Sequence, residues 1–204
     1  MDRDPLFSED EDAEEVVAAS LQTSNIPGLT IFRNLISEEL QSQLIQDVAE
    51  RDYFSNGSNQ VMLWDKDALD LAQPIFNAFL VLIMPLVPTS TYQQCLAMSH
   101  SLQVIVNLYH AGQGISPHTD LPHRYGPVVL GISLLGSAVI EFSATDISEE
   151  VTAIFLKPGD VYLMTGNARY KYQHGIPARM EDSVSFPLSS FREKGRKTHL
   201  TVPR

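Results

Sequence analysis

Residues 116–123 read "SPHTDLPH" and place His118 two positions before Asp120. On an extended segment residues i and i+2 share a face, so the imidazole and the carboxylate project together while Thr119 points away. A third ligand must come from elsewhere in the chain, and His174 in "RYKYQHGIP", at the end of a strand-like run and before a turn, is placed to supply it. Two imidazoles and one carboxylate form the facial triad of non-haem Fe(II) oxygenases, which leaves coordination positions open for co-substrate and oxygen. Spacing alone leaves a plainer reading open, because a histidine beside Pro and Gly is commonly a solvated turn residue. His100 and His110 at strand edges, and His123 after a proline, are assigned structural or surface roles.

Such residues need a scaffold that holds distant segments together. "IPGLTIF" reads as a strand leading into a helix, which Ser37 caps and Glu38 and Glu39 favour at its positive end, with Leu40, Leu44, Ile45 and Val48 at helical spacing. Residues 55–67 read as a polar loop around a short apolar segment, and a second helix follows over about residues 67–84, with Pro74 at a kink or a restart. From about residue 102 the period changes. "LQVIVNLY", "PVVLGISLLGSAVIEF", "VTAIFLKPGDVYLMTG", "RYKYQHGI" and "KTHLTV" are short β-branched and aromatic runs punctuated by Gly, Pro and Asn. The expected fold class is α+β: helices first, then a β-sandwich or jelly roll, whose end is a natural place for a metal.

At 204 residues the chain fits one domain with a single sizeable core. Its net charge of −11 is unevenly spread: residues 1–16 carry eight acids against Arg3, a net −7, and the rest carries −4, a poor general attractant for duplex phosphates. Residues 1–20 are therefore expected as a disordered acidic tail and residues 21–204 as the domain. Cys95 is the one cysteine, which excludes an intramolecular disulfide and a Cys-rich zinc site. The run "IFNAFLVLIMPLV" is broken by Asn77 and Pro85 and falls short of the roughly 18 residues of a membrane span, so no membrane partner is expected. No basic, apolar signal stands at the N-terminus, and an intracellular protein of the cytoplasm or nucleus is the default. A monomer is the expected state.

Taken together, "VNLYHAGQGISPHTD", "VVLGISLLGSAVIEF" and "YLMTGNARYKYQHGIP" resemble the AlkB family of Fe(II)- and 2-oxoglutarate-dependent dioxygenases, over about residue 26 to the C-terminus. The likeness lies in the combination of Asn-x-Tyr, eleven residues from that Asn to the first His, His-x-Asp, then Gly-x-x-Arg shortly before His-Gly-Ile. It implies a double-stranded β-helix (jelly-roll) core with the N-terminal helices packed on one sheet. It also implies that His118, Asp120 and His174 bind Fe(II), that Asn107 and Tyr109 hydrogen-bond 2-oxoglutarate from alternate positions of one strand, and that O2 is the oxidant.

The resemblance further asks for an Arg on the distal carboxylate of 2-oxoglutarate, with a second Arg six positions on. Here the pattern departs, because Arg196 and Arg204 stand eight apart, and registering on Leu200 and Thr201 instead brings Lys197 and Pro203 into those places. A one-residue bulge is easier to accept than loss of the guanidinium fork, so Arg196 is preferred over Lys197, with Arg204 as its partner. Arg169 matches the motif and is expected either to brace the iron pocket or the sheet wall, or to make a plain salt bridge. Tyr170 and Tyr172 are expected to alternate on one strand.

For substrate, "SNGSNQVMLW" occupies the position of the family's substrate lid, with Met62 and Trp64 as stacking or wedge residues, or Trp64 as a cover for the helix–sheet joint. Residues 169–204 carry eight bases against three acids, and the loop "SSFREKGRK" suits phosphates or plain solvent. The expected reaction is hydroxylation or oxidative demethylation of a modified nucleic acid, with RNA (tRNA or mRNA) or another single strand favoured over duplex DNA. A protein or small-molecule hydroxylase, or a catalytically weak scaffold, are the alternatives.

Overall fold

The structure, a computed structural model, describes residues 20–99, 101–146, 150–187 and 197–203; of Thr23 and of residues 184–187 and 197–203 it describes the backbone. Apart from Ser20, the expected acidic tail lies outside the described residues. The chain runs β1 (Ser20–Thr23), β2 (Leu29–Arg33), α1 (Glu38–Glu50), β3 (Gln60–Leu63), α2 (Asp65–Ile83), α3 (Thr89–Ala97) and β4 (Val104–Asn107). It continues through β5 (Ile115–His118), β6 (Val129–Ile132), β7 (Ala138–Ala144), β8 (Val151–Leu156) and β9 (Val161–Met164). The last elements are α4 (Gly166–Tyr170), β10 (Tyr172–Ile176), β11 (Glu181–Pro187) and β12 (Lys197–Pro203).

Two four-stranded sheets carry the core, in the orders β1-β2-β9-β6 and β5-β10-β7-β8, with antiparallel pairing throughout. Two antiparallel pairs, β3-β4 and β11-β12, complete the strands. The first sheet is covered on both faces. Val161 and Leu163 of β9 join Phe32, Leu130 and Ile132 beneath the Ile75, Phe76, Phe79 and Ile83 face of α2. Tyr162 and Met164, the alternate residues, join Leu29, Ile31 and Val129 against Ile140, Phe142, Ile154 and Leu156 of the second sheet. Period-two alternation with both faces buried is why "VYLM" contains no charged residue.

The helices start where local chemistry allows. Ser37 Oγ accepts from Leu40 N at the head of α1, and Glu38 and Glu39 occupy its first turn. Pro74 does not restart the second helix: it lies inside a continuous α2. Its side is exposed, so water can serve the Asp70 carbonyl that lacks an N–H donor, while the buried stripe continues past it.

Several expectations change. The apolar segment within residues 55–67 forms a strand, β3, and α3 appears where no helix was expected, since Cys95 is its one fully buried residue and its periodicity is weak. "GNARY" forms the single turn α4, so Tyr170 ends a helix while Tyr172 opens β10, and the two do not share a strand. β11 was also unforeseen. It opens with two acids, one of which, Asp182, is buried because it accepts from Val139 N at 3.0 Å and from Arg179 Nε at 2.6 Å.

Candidate metal centre

His118 ends β5 and His174 lies directly opposite it on β10. Their rings stand 4.5 Å apart between centroids. Gly175 permits this approach: a Cβ there would fall 2.8 Å from Ile115 O and 2.9 Å from the Pro117 nitrogen, so any larger residue would force β10 away from β5 beside the histidines.

Asp120 does not share the strand with His118, as alternation suggested; β5 stops at His118 and Asp120 belongs to the following loop. Its carboxylate nonetheless faces both rings, with Oδ1 3.8 Å from His118 Nε2 and Oδ2 3.8 Å from His174 Nε2. These distances are too long for hydrogen bonds. They leave room between the three donors for an ion, being somewhat wider than the roughly 3.0–3.4 Å edges of a shell whose ligands stand about 2.1 Å out. One donor atom from each of the three residues lies within 4.8 Å of the others, the one such group of His, Cys, Asp and Glu among the described residues.

The protonation states suit a cation. His118 Nδ1 lies 2.9 Å from Ser116 O, a pure acceptor, so Nδ1 carries the hydrogen and Nε2 offers its lone pair. Burial holds His174 down to about 4, against the opposing pull of Asp120 and with further lowering from His118 and Arg169, so the ring is neutral at pH 7. Its Nδ1 is buried without a hydrogen-bond partner among the described residues. Phe142 stacks on the ring at 6.1 Å and closes that side with hydrocarbon.

What holds Asp120 in place is Arg169. Fully buried on α4, it donates from Nη1 to Asp120 O (2.8 Å), from Nε to Gly126 O (3.1 Å), and from Nη2 to Tyr125 O (3.3 Å) and Leu121 O (3.5 Å). Its partners are main-chain carbonyls of residues 120–126, and among the described residues it pairs with no carboxylate. Of the two roles expected for it, the brace is the one observed.

Asn107 is the last residue of β4 and is exposed, its Oδ1 accepting from Gln60 Nε2 at 2.9 Å across the β3–β4 pair. Tyr109 lies two residues beyond the strand rather than on it, half-buried, and burial raises its phenol. Met62 is exposed on β3, and the Trp64 ring carries the Arg124 guanidinium 4.6 Å from its centroid, which ties the end of the β3 segment to the loop braced by Arg169. Arg196 and Arg204 lie outside the described residues, as does "SSFREKGR"; Lys197 is described by its backbone alone, opposite Pro187.

Residues 72–197 match the family described as the 2OG-Fe(II) oxygenase superfamily, more than half of the chain. The chain belongs to this superfamily. This oxygenase is 24% identical over 169 residues to uncharacterized protein L905 of Acanthamoeba polyphaga mimivirus, covering 80% of each chain. It is 26% identical over 186 residues to the tRNA (carboxymethyluridine(34)-5-O)-methyltransferase alkbh8 of Xenopus tropicalis, covering 83% of this chain but only 28% of that protein. The solved structure of OsALKBH1 superposes with a TM-score of 0.53 at 13% identity, over 78% of this chain and 90% of that one, a likeness of fold.

The protein is thus an AlkB-like oxidoreductase that uses Fe(II), 2-oxoglutarate and O2. The donor set fits the ion: two imidazoles and a carboxylate on converging segments are ligands of the type Fe(II) accepts, and no thiolate is near to favour a softer metal. Among the described residues no helix is long and apolar enough to cross a membrane. Tyr162, whose ring lies across Gly131 of the neighbouring strand and meets Phe142 at 6.2 Å, is a neighbour of the centre that "VYLM", which reads as plain core, did not announce.

Proposed function

We propose that this oxygenase hydroxylates or oxidatively demethylates a modified nucleic acid, with RNA, either tRNA or mRNA, preferred over DNA. The observation that carries the proposal is the Trp64–Arg124 pair, an aromatic face and a guanidinium joined beside the loop that presents Asp120. Unstacked bases are recognised by such planes, and the phosphate backbone by such cations. The relation to a tRNA-modifying enzyme in Xenopus tropicalis supports the same direction.

In this reading the two facing sheets form a double-stranded β-helix, with residues 21–204 as one monomeric intracellular domain. His118, Asp120 and His174 hold the iron; Asn107 and Tyr109 donate to 2-oxoglutarate; Arg196, with Lys197 as rival and Arg204 beside it, takes the distal carboxylate. When bound, iron, oxygen and 2-oxoglutarate together supply oxidation of a C–H bond, with succinate and carbon dioxide as the co-products. Phe142 and the apolar layer beneath it keep water from the His174 side, and Arg169 keeps the Asp120 carboxylate aimed. If the oxidised carbon is an N-methyl group, the hydroxymethyl product releases formaldehyde; otherwise a stable alcohol remains.

The net charge of −4 outside residues 1–16 favours a second reading, hydroxylation of a protein or small molecule. The deciding experiment measures succinate from Fe(II), ascorbate and 2-oxoglutarate, with His118→Ala as control. Mass spectrometry then follows digested tRNA, mRNA and methylated single-stranded DNA exposed to the protein. A modified nucleoside that disappears in tRNA or mRNA supports the proposal. Succinate formation with all three nucleic acids unchanged transfers it to the second reading, and no succinate above the control reduces the protein to a scaffold.

A further inference from the structure

Residues 71–119 contain no Asp, Glu, Lys or Arg, although such residues make up 19% of the chain. In the strands of this stretch an interior position accounts for that; on the surface of its helices nothing in the fold does. The solvent face of α2 opens with Lys66, Asp67 and Asp70, then turns to Pro74, Asn77, Val81 and Met84, all exposed. These follow at helical spacing on the side away from Ile75, Phe79 and Ile83, which cover the first sheet. Val81 is 70% exposed and Met84 59%, and Leu82, Leu86 and Leu96 are each more than a third exposed. By contrast α1 shows water Glu38, Glu39 and Glu50. A helix apolar all round belongs in an interior, so the second half of α2 is built to be covered.

A groove lies beside this ridge. Leu86, Val87 and Pro88, just past the end of α2, face Leu21, Ile26 and Leu29 across a cavity of about 270 Å³, and none of the residues lining it is charged. Each molecule therefore carries an apolar ridge and, next to it, an apolar socket.

Charge decides what can cover such a face. Nucleic acid and anionic lipid require cations, which it lacks. Residues 1–16, with eight acids against Arg3, would bring carboxylates to a surface that offers them no partner. A second copy brings the same uncharged face. In a chain of net charge −11, it is here that two copies can approach with no like charges opposed. Loss of charged residues around exposed Met and aliphatic side chains is also the compositional mark of an interface core. Two-fold symmetry lets one contact, ridge into socket, be made twice.

We propose that the α2–α3 face pairs two copies of this chain about a two-fold axis, Val81 and Met84 of each directed to the other's groove beside Leu86 and Pro88. The pairing goes beyond the proposed function and sets aside only its monomer. Each copy keeps a whole centre: His118, Asp120 and His174 belong to one chain, and β5 and β10 lie in the second sheet, whereas α2 packs on the first.

The test is sedimentation equilibrium of the full chain over a range of micromolar concentrations, comparing wild type with Val81→Glu/Met84→Glu. Wild type should reach twice the mass of one chain, and the dimer should tighten as salt rises, because screening removes repulsion and breaks no ion pair. The double variant should pair roughly a hundredfold more weakly or worse, with an unchanged circular dichroism spectrum, since both positions already face water. Wild type that stays monomeric overturns the proposal. In that monomer, slow labelling of the Val81→Cys thiol would assign the face to another segment of the same chain, and fast labelling would leave it bare. A dimer that the double variant retains, or that salt dissociates, overturns the proposal as well.

Discussion

Arg169 Nη1 donates to the main-chain oxygen of Asp120 at 2.8 Å, so the metal-facing carboxylate is positioned by a guanidinium that never touches it. The same cation serves three further carbonyls between Leu121 and Gly126. One side chain thereby fixes the path of the whole loop.

Arg169→Gln is expected to lose metal before it loses fold. The loop carbonyls would forfeit their shared donor, and Asp120 would no longer be held between His118 and His174. Support residues of this kind are worth about ten- to a hundredfold in metal affinity. Removal of a buried, hydrogen-bonded charge costs about 3–5 kcal/mol of stability. Mn(II) titration and urea unfolding report the two effects separately, and Arg169→Lys, which retains charge without the fork, should recover little of either. Unchanged Mn(II) affinity in the Gln variant would show that Asp120 is held by something else.

Gly175→Ala should separate the two histidines. The added methyl meets backbone atoms of Ile115 and Pro117, neither of which can rotate away. Overpacking of this sort costs about 1–3 kcal/mol. Thermal unfolding of the apo form and Mn(II) affinity should fall together; wild-type values for both would mean that β5 and β10 can part without disturbing the ligands.

Asp182→Ala probes a different joint. Its buried carboxylate ties Arg179 to the Val139 amide at the start of β7, and Arg179 continues to Glu141 at 3.1 Å. Losing the acceptor leaves a buried N–H unpaired, a cost of about 1–3 kcal/mol. The readout is the urea midpoint at pH 7; no shift would show that water serves the amide.

Cys95 is fully buried, and burial pushes its thiol up to about 11 against the opposing effect of a backbone hydrogen bond. The unfolded thiol titrates lower, so above that value the unfolded state releases its proton first and stability falls as pH rises toward 11. Below it the residue contributes no pH dependence. Native protein at pH 8 should therefore resist a thiol reagent that labels one cysteine per chain in denaturant. Fast labelling of the native state would reveal frequent opening of α3.

The centre was legible because its side chains carry the chemistry in their identities: His-x-Asp and a later His admit few ligand sets, and the fold brings all three together. What surrounds it was harder to read. Arg169 binds main-chain carbonyls, which every residue possesses and no pattern distinguishes. Asp120 leaves the strand because the loop is drawn to Arg169, a long-range effect absent from local alternation. Five residues of α4 are too few to show a helical period, and "RYKY" keeps strand-like composition through it. Tyr162 hides in an apolar run, and only the cross-strand register with Gly131 reveals that its ring has somewhere to go.

The opposition of His118 and His174 across neighbouring strands has one more consequence. The two are 56 positions apart in the chain, so no short fragment contains the centre, and an ion can be gripped only after β5 and β10 have met. Metal that binds the native state alone acts as a clasp on this seam, contributing about 2.7 kcal/mol of stability at a hundredfold excess over its dissociation constant. Chelation should then lower the melting temperature of the very strands that oxidation chemistry depends on, making iron supply a determinant of how long the protein persists as well as of whether it turns over.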